Sequence, residues 1–223
     1  MKHIYCISGF GADERVFSKL IFPGYDIHYI KWNIPEKNES LNAYAKRLIE
    51  QIHHANPILI GLSFGGMMCI EIARQFPVEK IILISSIKSF RERPLWMKLS
   101  AKLKVNKIFP MRSFRVIEPI EDYNLGLETI EEKEMVHAYR RNINQYYTDW
   151  AINVILNWKN DWVPKNLFHI HGKKDRIFPF KNVHADYIVS SGGHFMIMNR
   201  FTEVNKYINS ALQKDLNHRG DIL

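Results

Sequence analysis

Ile58-Leu59-Ile60-Gly61-Leu62-Ser63-Phe64-Gly65-Gly66 is the stretch on which the reading of the fold turns. An apolar run breaks there into Gly-x-Ser-x-Gly, and a helix-like segment follows from Met67 to Phe76. A serine so placed sits on a sharp strand-to-helix turn with its hydroxyl raised above the edge of a sheet. Glycine two residues before and after lets the backbone turn that tightly without a Cβ clash. The bare pattern is weak; its surroundings make it specific. Leu167 to Gly172 reads as a buried strand with Asp175 on the polar loop behind it, and Ala185 to Val189 reads as the next strand, leading to Ser191-Gly192-Gly193-His194. A serine hydroxyl needs an imidazole to take its proton, and the imidazole needs a carboxylate to fix its tautomer. Ser63, Asp175 and His194 all follow strand-like runs, so a parallel sheet brings them to one rim.

Working outward, strand-like runs fall at 2–7, 25–32, 57–62, 80–87, 166–171 and 185–190, with helical patterns between several of them. Asp13 is placed to cap a short helix carrying Val16, Phe17 and Leu20. Ser40 precedes a longer one in which Leu41, Tyr44, Ala45, Leu48, Ile49 and Ile52 repeat at helical spacing. Pro77 closes the helix behind Ser63, and a last helix sets Val204, Tyr207, Ile208, Ala211 and Leu212 on one face. The expected class is α/β: about six mostly parallel strands with flanking helices. Between Ile87 and about Lys165 no strand is legible, and four of the five tryptophans lie there: Trp96, Trp150, Trp158 and Trp162. Residues 88–165 are therefore expected as a helical cap inserted into a core made of 1–87 and 166–223, emerging on the rim of Ser63.

The 223 residues are 46% hydrophobic and 24% charged, which suits one globular domain with a sizeable core. No signal-peptide pattern and no apolar run of 18 residues is present, so a soluble cytoplasmic protein without stable membrane insertion is expected. Cys6 and Cys69 fall in buried-looking positions, as structural thiols of a reducing compartment do.

On the strength of the elbow, the acid loop and the final histidine, nearly the whole chain resembles the α/β-hydrolase family, in a trimmed form that starts at what is usually the third strand. Within that family it looks closest to small capped serine esterases of the pimeloyl-carrier-protein methyl ester esterase type. The resemblance implies that Ser8-Gly9-Phe10-Gly11-Ala12-Asp13 takes the place of the His-Gly-Trp-Gly loop, with Ser8 where the family has histidine. It also implies that the backbone N–H groups of Phe10 and Phe64 form an oxyanion hole. Ser63 is then the nucleophile, His194 the general base and then acid, and Asp175 the residue that orients His194. An acyl-enzyme forms and water releases it, without metal or organic cofactor. A serine at the elbow also argues against the dehalogenases and epoxide hydrolases of this fold, which use aspartate. Triad-based lyases, C–C hydrolases and non-catalytic ligand binders on the same fold remain as alternatives.

Asp186 is the second candidate acid, but it sits inside a strand pattern. The remaining histidines receive no role: His53-His54 ends a helix pattern, His3, His28, His169 and His171 sit in strands, and none forms a metal-ligand spacing with nearby Cys or carboxylates. Gly9-Phe10-Gly11 lacks the Lys-Ser/Thr of a P-loop and the third glycine of a dinucleotide fingerprint.

The formal charge of +8 is unevenly spread: Lys88 to Arg115 holds nine basic residues against Glu92, and Glu118 to Glu134 holds seven acids against one lysine. Leu95, Trp96, Leu99 and Leu103 recur at helical spacing beside Lys98 and Lys102. Such a basic amphipathic helix reads as membrane-surface binding or as docking for an acidic partner, and the resemblance suggests an acyl carrier protein docking at Lys98, Lys102 and Lys104, with an anionic substrate group as the alternative. No nucleic-acid-binding module accompanies the charge. Phe10, Phe64, Trp96 and Trp150 are expected to line an apolar pocket for the small-molecule acyl ester.

Overall fold

The computed structural model describes residues 1–103 and 118–214. Among these, β1 (Lys2–Ile7), β2 (Tyr25–Ile30), β3 (Ile58–Leu62), β4 (Lys80–Ile84), β5 (Leu167–Gly172) and β6 (Tyr187–Val189) form one parallel sheet in the order β2-β1-β3-β4-β5-β6. The central β3 and β4 are buried at every position, so they read as continuous apolar runs rather than alternating ones. Side-chain alternation sends Tyr5, Ile7 and Leu59 to one face and Ile4, Cys6, Ile58 and Ile60 to the other, each joining its own core. The first face is covered by α1 (Leu41–Ile49) and α2 (Phe64–Ala73), the second by a 3-10 turn (Glu14–Phe17) and the C-terminal helix.

Local chemistry sets the boundaries. Ser40 accepts from the Ala43 N–H and Asp13 from the Arg15 N–H, as N-caps do. The helix behind Ser63 starts at Phe64 and ends at Ala73, three residues earlier at each end than the sequence pattern suggests. β2 stops at Ile30 because the Gln51 side chain takes the backbone N–H and C=O of Lys31. β4 stops at Ile84 because Ser85 turns to a positive φ of 47°.

Between β4 and β5 the described chain is helical: α3 (Leu95–Leu103), α4 (Glu118–Leu125), α5 (Ile130–Asn142) and α6 (Gln145–Asn157), with short 3-10 and extended links. A capping box at Thr129 and Glu132 starts α5. The described residues end with the short α7 (Met196–Asn199) and with α8 (Phe201–Gln213), which buries Val204, Ile208, Ala211 and Leu212 and leaves Tyr207 half-exposed.

Lys80 is almost fully buried in β4, and its ammonium donates to the carbonyls of Ala211, Leu212 and Lys214 at 2.7, 2.9 and 3.0 Å. A buried cation thus satisfies the last carbonyls of α8 and complements its dipole. Lys80→Met keeps the aliphatic stem and strips these bonds, so it is expected to lower stability by about 1.5–3 kcal/mol in urea unfolding, with the slope of the transition unchanged.

Candidate active site

The nucleophile turn is built by close approach. Ser63 has φ 52° and ψ −116°, a conformation a non-glycine residue adopts only when its neighbours enforce it. A Cβ on Gly65 would lie 2.2 Å from the Ile7 carbonyl oxygen, and one on Gly61 would lie 2.5 Å from that of Gly65. Both elbow glycines are therefore required where β1, β3 and α2 meet. The turn is held by the Ser63 N–H donating to Ile84 O at 2.9 Å and by the Ser86 hydroxyl donating to Ser63 O at 2.7 Å.

The structure brings Ser63, His194 and Asp175 together. His194 Nε2 lies 3.0 Å from Ser63 Oγ, and His194 Nδ1 lies 2.8 Å from Asp175 Oδ2. Asp175 Oδ1 accepts the N–H groups of Ile177 and Phe178, both at 2.8 Å. An ionised carboxylate only accepts, so Nδ1 carries the proton and Nε2 is left to accept from the serine. The loops bearing acid and imidazole lock onto each other: Lys174 N–H donates to Gly192 O at 2.8 Å, and a Cβ on Gly172 would meet that oxygen at 2.3 Å. Asp186 does something else; its Oδ2 accepts the His169 N–H at 2.8 Å and ties the entry of β6 to β5.

The loop at Gly9 runs beside the elbow. Ala12 N–H donates to Gly9 O, and the Ser8 hydroxyl donates to Ala12 O at 2.7 Å while accepting the Trp32 indole N–H at 3.0 Å. Trp32 in turn stacks on Phe64, ring centroids 5.1 Å apart. Ser8 and Trp32 together hold this loop, and Trp32 is a residue to which sequence reasoning assigned no role. Its only signal was an indole at the end of a strand. Phe64 heads α2, where the first N–H groups have no intrahelical partner.

A cavity of about 300 Å³ opens over Ser63 and His194. Phe10, Leu62, Ile177 and Phe178 contribute from the sheet side, and Trp96, Met97, Val136, Ile143 and Ile155 from the helices between β4 and β5. Glu121 and Arg140 bring charge to its wall as an ion pair at 2.8 Å. Burial pushes the Glu121 carboxyl up, and Arg140 opposes it. These helices are fastened to the imidazole loop: Phe195 N–H donates to Leu125 O, and Arg200 pairs with Glu128 through two bonds.

Two expected pocket residues are elsewhere. The Phe64 ring is buried against Trp32, and Trp150 packs on Tyr44 and donates its indole N–H to Glu39 O at 2.8 Å, so neither side chain lines the cavity. Trp158 likewise donates to buried Glu71. These indoles fasten the inserted helices to the sheet layer; Phe10 and Trp96 are the expected aromatics that face the cavity. On α3, Leu95, Trp96 and Leu99 are 70%, 48% and 50% exposed, with Lys98 and Lys102 exposed beside them, while Met97 is buried. Lys104, Lys107, Arg112 and Arg115 lie outside the described residues.

Similar solved structures can now be named. An esterase from Thermogutta terrifontis (malate bound) superposes with a TM-score of 0.73 at 16% identity, covering 96% of this chain and 90% of that one. An esterase from Exiguobacterium antarcticum gives 0.70 at 16% identity, with 96% and 92% covered. The chain has the α/β-hydrolase fold. The same fold in an epoxide hydrolase from Bacillus megaterium, in complex with an inhibitor, matches with a TM-score of 0.64 at 16% identity, with 96% and 94% covered. No protein-family model and no curated protein matches the sequence. Likeness at this identity is one of α/β-hydrolase fold, and chemistry has to come from the site.

Beneath the site, His169 and His171 are buried in β5, their rings 5.1 Å apart. Burial holds both imidazoles below the ordinary value; for His171 the nearby Asp175 works the other way. The unfolded chain takes up protons below about pH 6.5 that the folded chain refuses, so stability is full above that value and falls as pH drops through it. Thermal unfolding should show a plateau near neutrality and a decline towards pH 5. His169→Leu should reduce that slope, by at most about 1.4 kcal/mol per pH unit.

Proposed function

We propose that the protein is a serine hydrolase that cleaves a carboxylic ester or thioester of an apolar acyl group. The observation that carries this reading is the hydrogen-bonded line from Asp175 through His194 to Ser63 on a strained elbow, at the mouth of a largely apolar cavity. In this reading Ser63 Oγ attacks the acyl carbon as its proton passes to His194 Nε2, and Asp175 stabilises the imidazolium. The oxyanion accepts from the N–H groups of Phe10 and Phe64, each such donor being worth about 2.7–4 kcal/mol of barrier. The protonated His194 then releases the alcohol or thiol, and the reverse sequence with water frees the acid.

Hydrolysis of p-nitrophenyl esters from acetate to decanoate tests it. Activity should peak at one chain length and fall by about 10⁴-fold or more in Ser63→Ala, and Asp175→Asn should lose about 10⁴-fold. Failure of a fluorophosphonate to label Ser63 in the folded protein would sink the catalytic reading. Labelling without turnover of any simple ester would favour a carrier-bound ester or the lyase and C–C hydrolase alternatives.

We further propose an acidic acyl carrier protein as the substrate's bearer, in the cytoplasm. Supporting this, α3 exposes Leu95 and Leu99 beside Lys98 and Lys102, and Trp96 joins that outer surface to the cavity wall. The buried free thiols of Cys6 and Cys69 suit a reducing compartment, and among the described residues no helix is long and apolar enough to cross a membrane. Reversing charge at Lys98 and Lys102 should lower kcat/KM for a carrier-bound ester about tenfold and leave p-nitrophenyl esters unaffected. Equal rates on the carrier-bound ester before and after reversal would remove the carrier from the account.

A further inference from the structure

At the opposite rim of the sheet, the parallel register sets His3 beside Asp26 and Tyr5 beside His28, on one face of β1 and β2. His3 Nδ1 lies 3.2 Å from His28 Nε2, and Asp26 Oδ2 lies 3.4 Å from the first and 3.3 Å from the second. These three lone-pair-bearing atoms form a nearly equilateral triangle. Hydrogen bonds fill at most two of its sides: with both ring N–H groups directed at Asp26 Oδ2, the two nitrogens face each other at 3.2 Å without a bond. A cation beside the triangle satisfies all three. With metal–nitrogen and metal–oxygen bonds of about 2.0–2.2 Å, a tetrahedral ion separates its ligand atoms by about 3.3–3.6 Å, close to the spacing found here.

The supporting shell is already ordered. The Tyr5 ring stacks on His28 at 4.6 Å, and the His54 ring lies parallel to His3 at 3.4 Å. The Tyr5 hydroxyl accepts the His53 N–H at 3.0 Å and meets His54 Nδ1 at 2.7 Å, which fixes that pair. A ring nitrogen of His54 is within 4.8 Å of those of His3 and His28. A tilt of that ring, or a water, completes the fourth position. All four side chains are partly exposed, so an ion has a path in.

We propose that His3, Asp26 and His28 bind a divalent transition-metal ion, zinc in the first instance, tying edge strand β2 to β1 away from the hydrolytic site. Two imidazoles and one carboxylate select for zinc-like ions over magnesium or calcium, which favour all-oxygen sets. The proposal is independent of the reading of Ser63.

The test is calorimetric titration of Zn²⁺ into the untagged full chain after chelator treatment, with Co²⁺ absorption as a second readout. One equivalent should bind, Zn²⁺ should raise the melting temperature, and Co²⁺ should show the intense visible bands of four-coordination. Asp26→Asn and His28→Ala should each weaken binding by more than the about 10–100-fold expected for loss of a mere supporting group. The His3→Ala/His28→Ala pair should abolish the binding and the thermal shift, while Ser63→Ala should bind as the natural chain does. The proposal fails if no Zn²⁺ binds up to millimolar concentration. It fails equally if the double variant, folded by circular dichroism, binds undiminished, since the ion would then sit elsewhere, for instance on His194.

Discussion

The approach of α2 to the carbonyl ends of β1 is the constraint on which the rest of this structure depends. With no Cβ at Gly65, the helix start comes so close to Ile7 and Ser8 that any side chain there would overlap their oxygens. That approach forces Ser63 into its positive φ, and the sheet makes the conformation tolerable through Ile84 O and Ser86 Oγ. Strain of order 1–3 kcal/mol persists only where surroundings over-determine it. Here two strands, a helix and a neighbouring turn all do so.

From that point the site is assembled by loops that bind one another rather than by long-range charge. The acid loop leans on the carbonyl of Gly192, the imidazole loop donates to Leu125 O at the end of α4, and Ser8 closes its loop through Ala12 O. Each contact ends on a backbone carbonyl, two of them donated by backbone N–H groups and one by the Ser8 hydroxyl, which gives little positional freedom to the side chains that follow. The inserted helices add the apolar wall and the Glu121–Arg140 pair. The sheet supplies position, and side chains on the inserted helices supply much of the cavity wall.

How much of this was legible in the sequence follows from the range of the interactions involved. The elbow and the trio Ser63, Asp175 and His194 were readable because each follows a strand-like run, and parallel strands place their ends on one rim; the order of the strands in the sheet was not. Cap residues Asp13 and Ser40 were readable because capping is local. Phe64 and Trp150 were misplaced because both aromatic rings satisfy the same pattern whether they face a cavity or a neighbouring helix. Periodicity tells which face is buried, not against what. Trp32 was invisible because its partner, Ser8, lies 24 residues away. The exposure of Leu95 and Leu99 runs against their helical pattern for a related reason: an apolar stripe needs a surface to cover, and the sequence does not say whether one is there.

The histidines at the other rim show the same limit in its sharpest form. Metal-ligand spacing is recognisable in a sequence only when one loop or helix carries several ligands. His3 is on β1 while Asp26 and His28 are on β2, 23 residues further along at the nearest, and the register that pairs His3 with Asp26 exists only once β1 and β2 are in the sheet. Both ring N–H groups can point to Asp26 Oδ2, which leaves His3 Nδ1 and His28 Nε2 facing each other at 3.2 Å with no proton between them, whereas a cation engages all three atoms. The sheet can hold them there because Tyr5 and His54 cover their ring faces and because the edge strand has six paired positions along β1. A parallel α/β sheet therefore offers two rims for ligands. Connectivity gathers Ser63, Asp175 and His194 at one of them, and strand register gathers His3, Asp26 and His28 at the other.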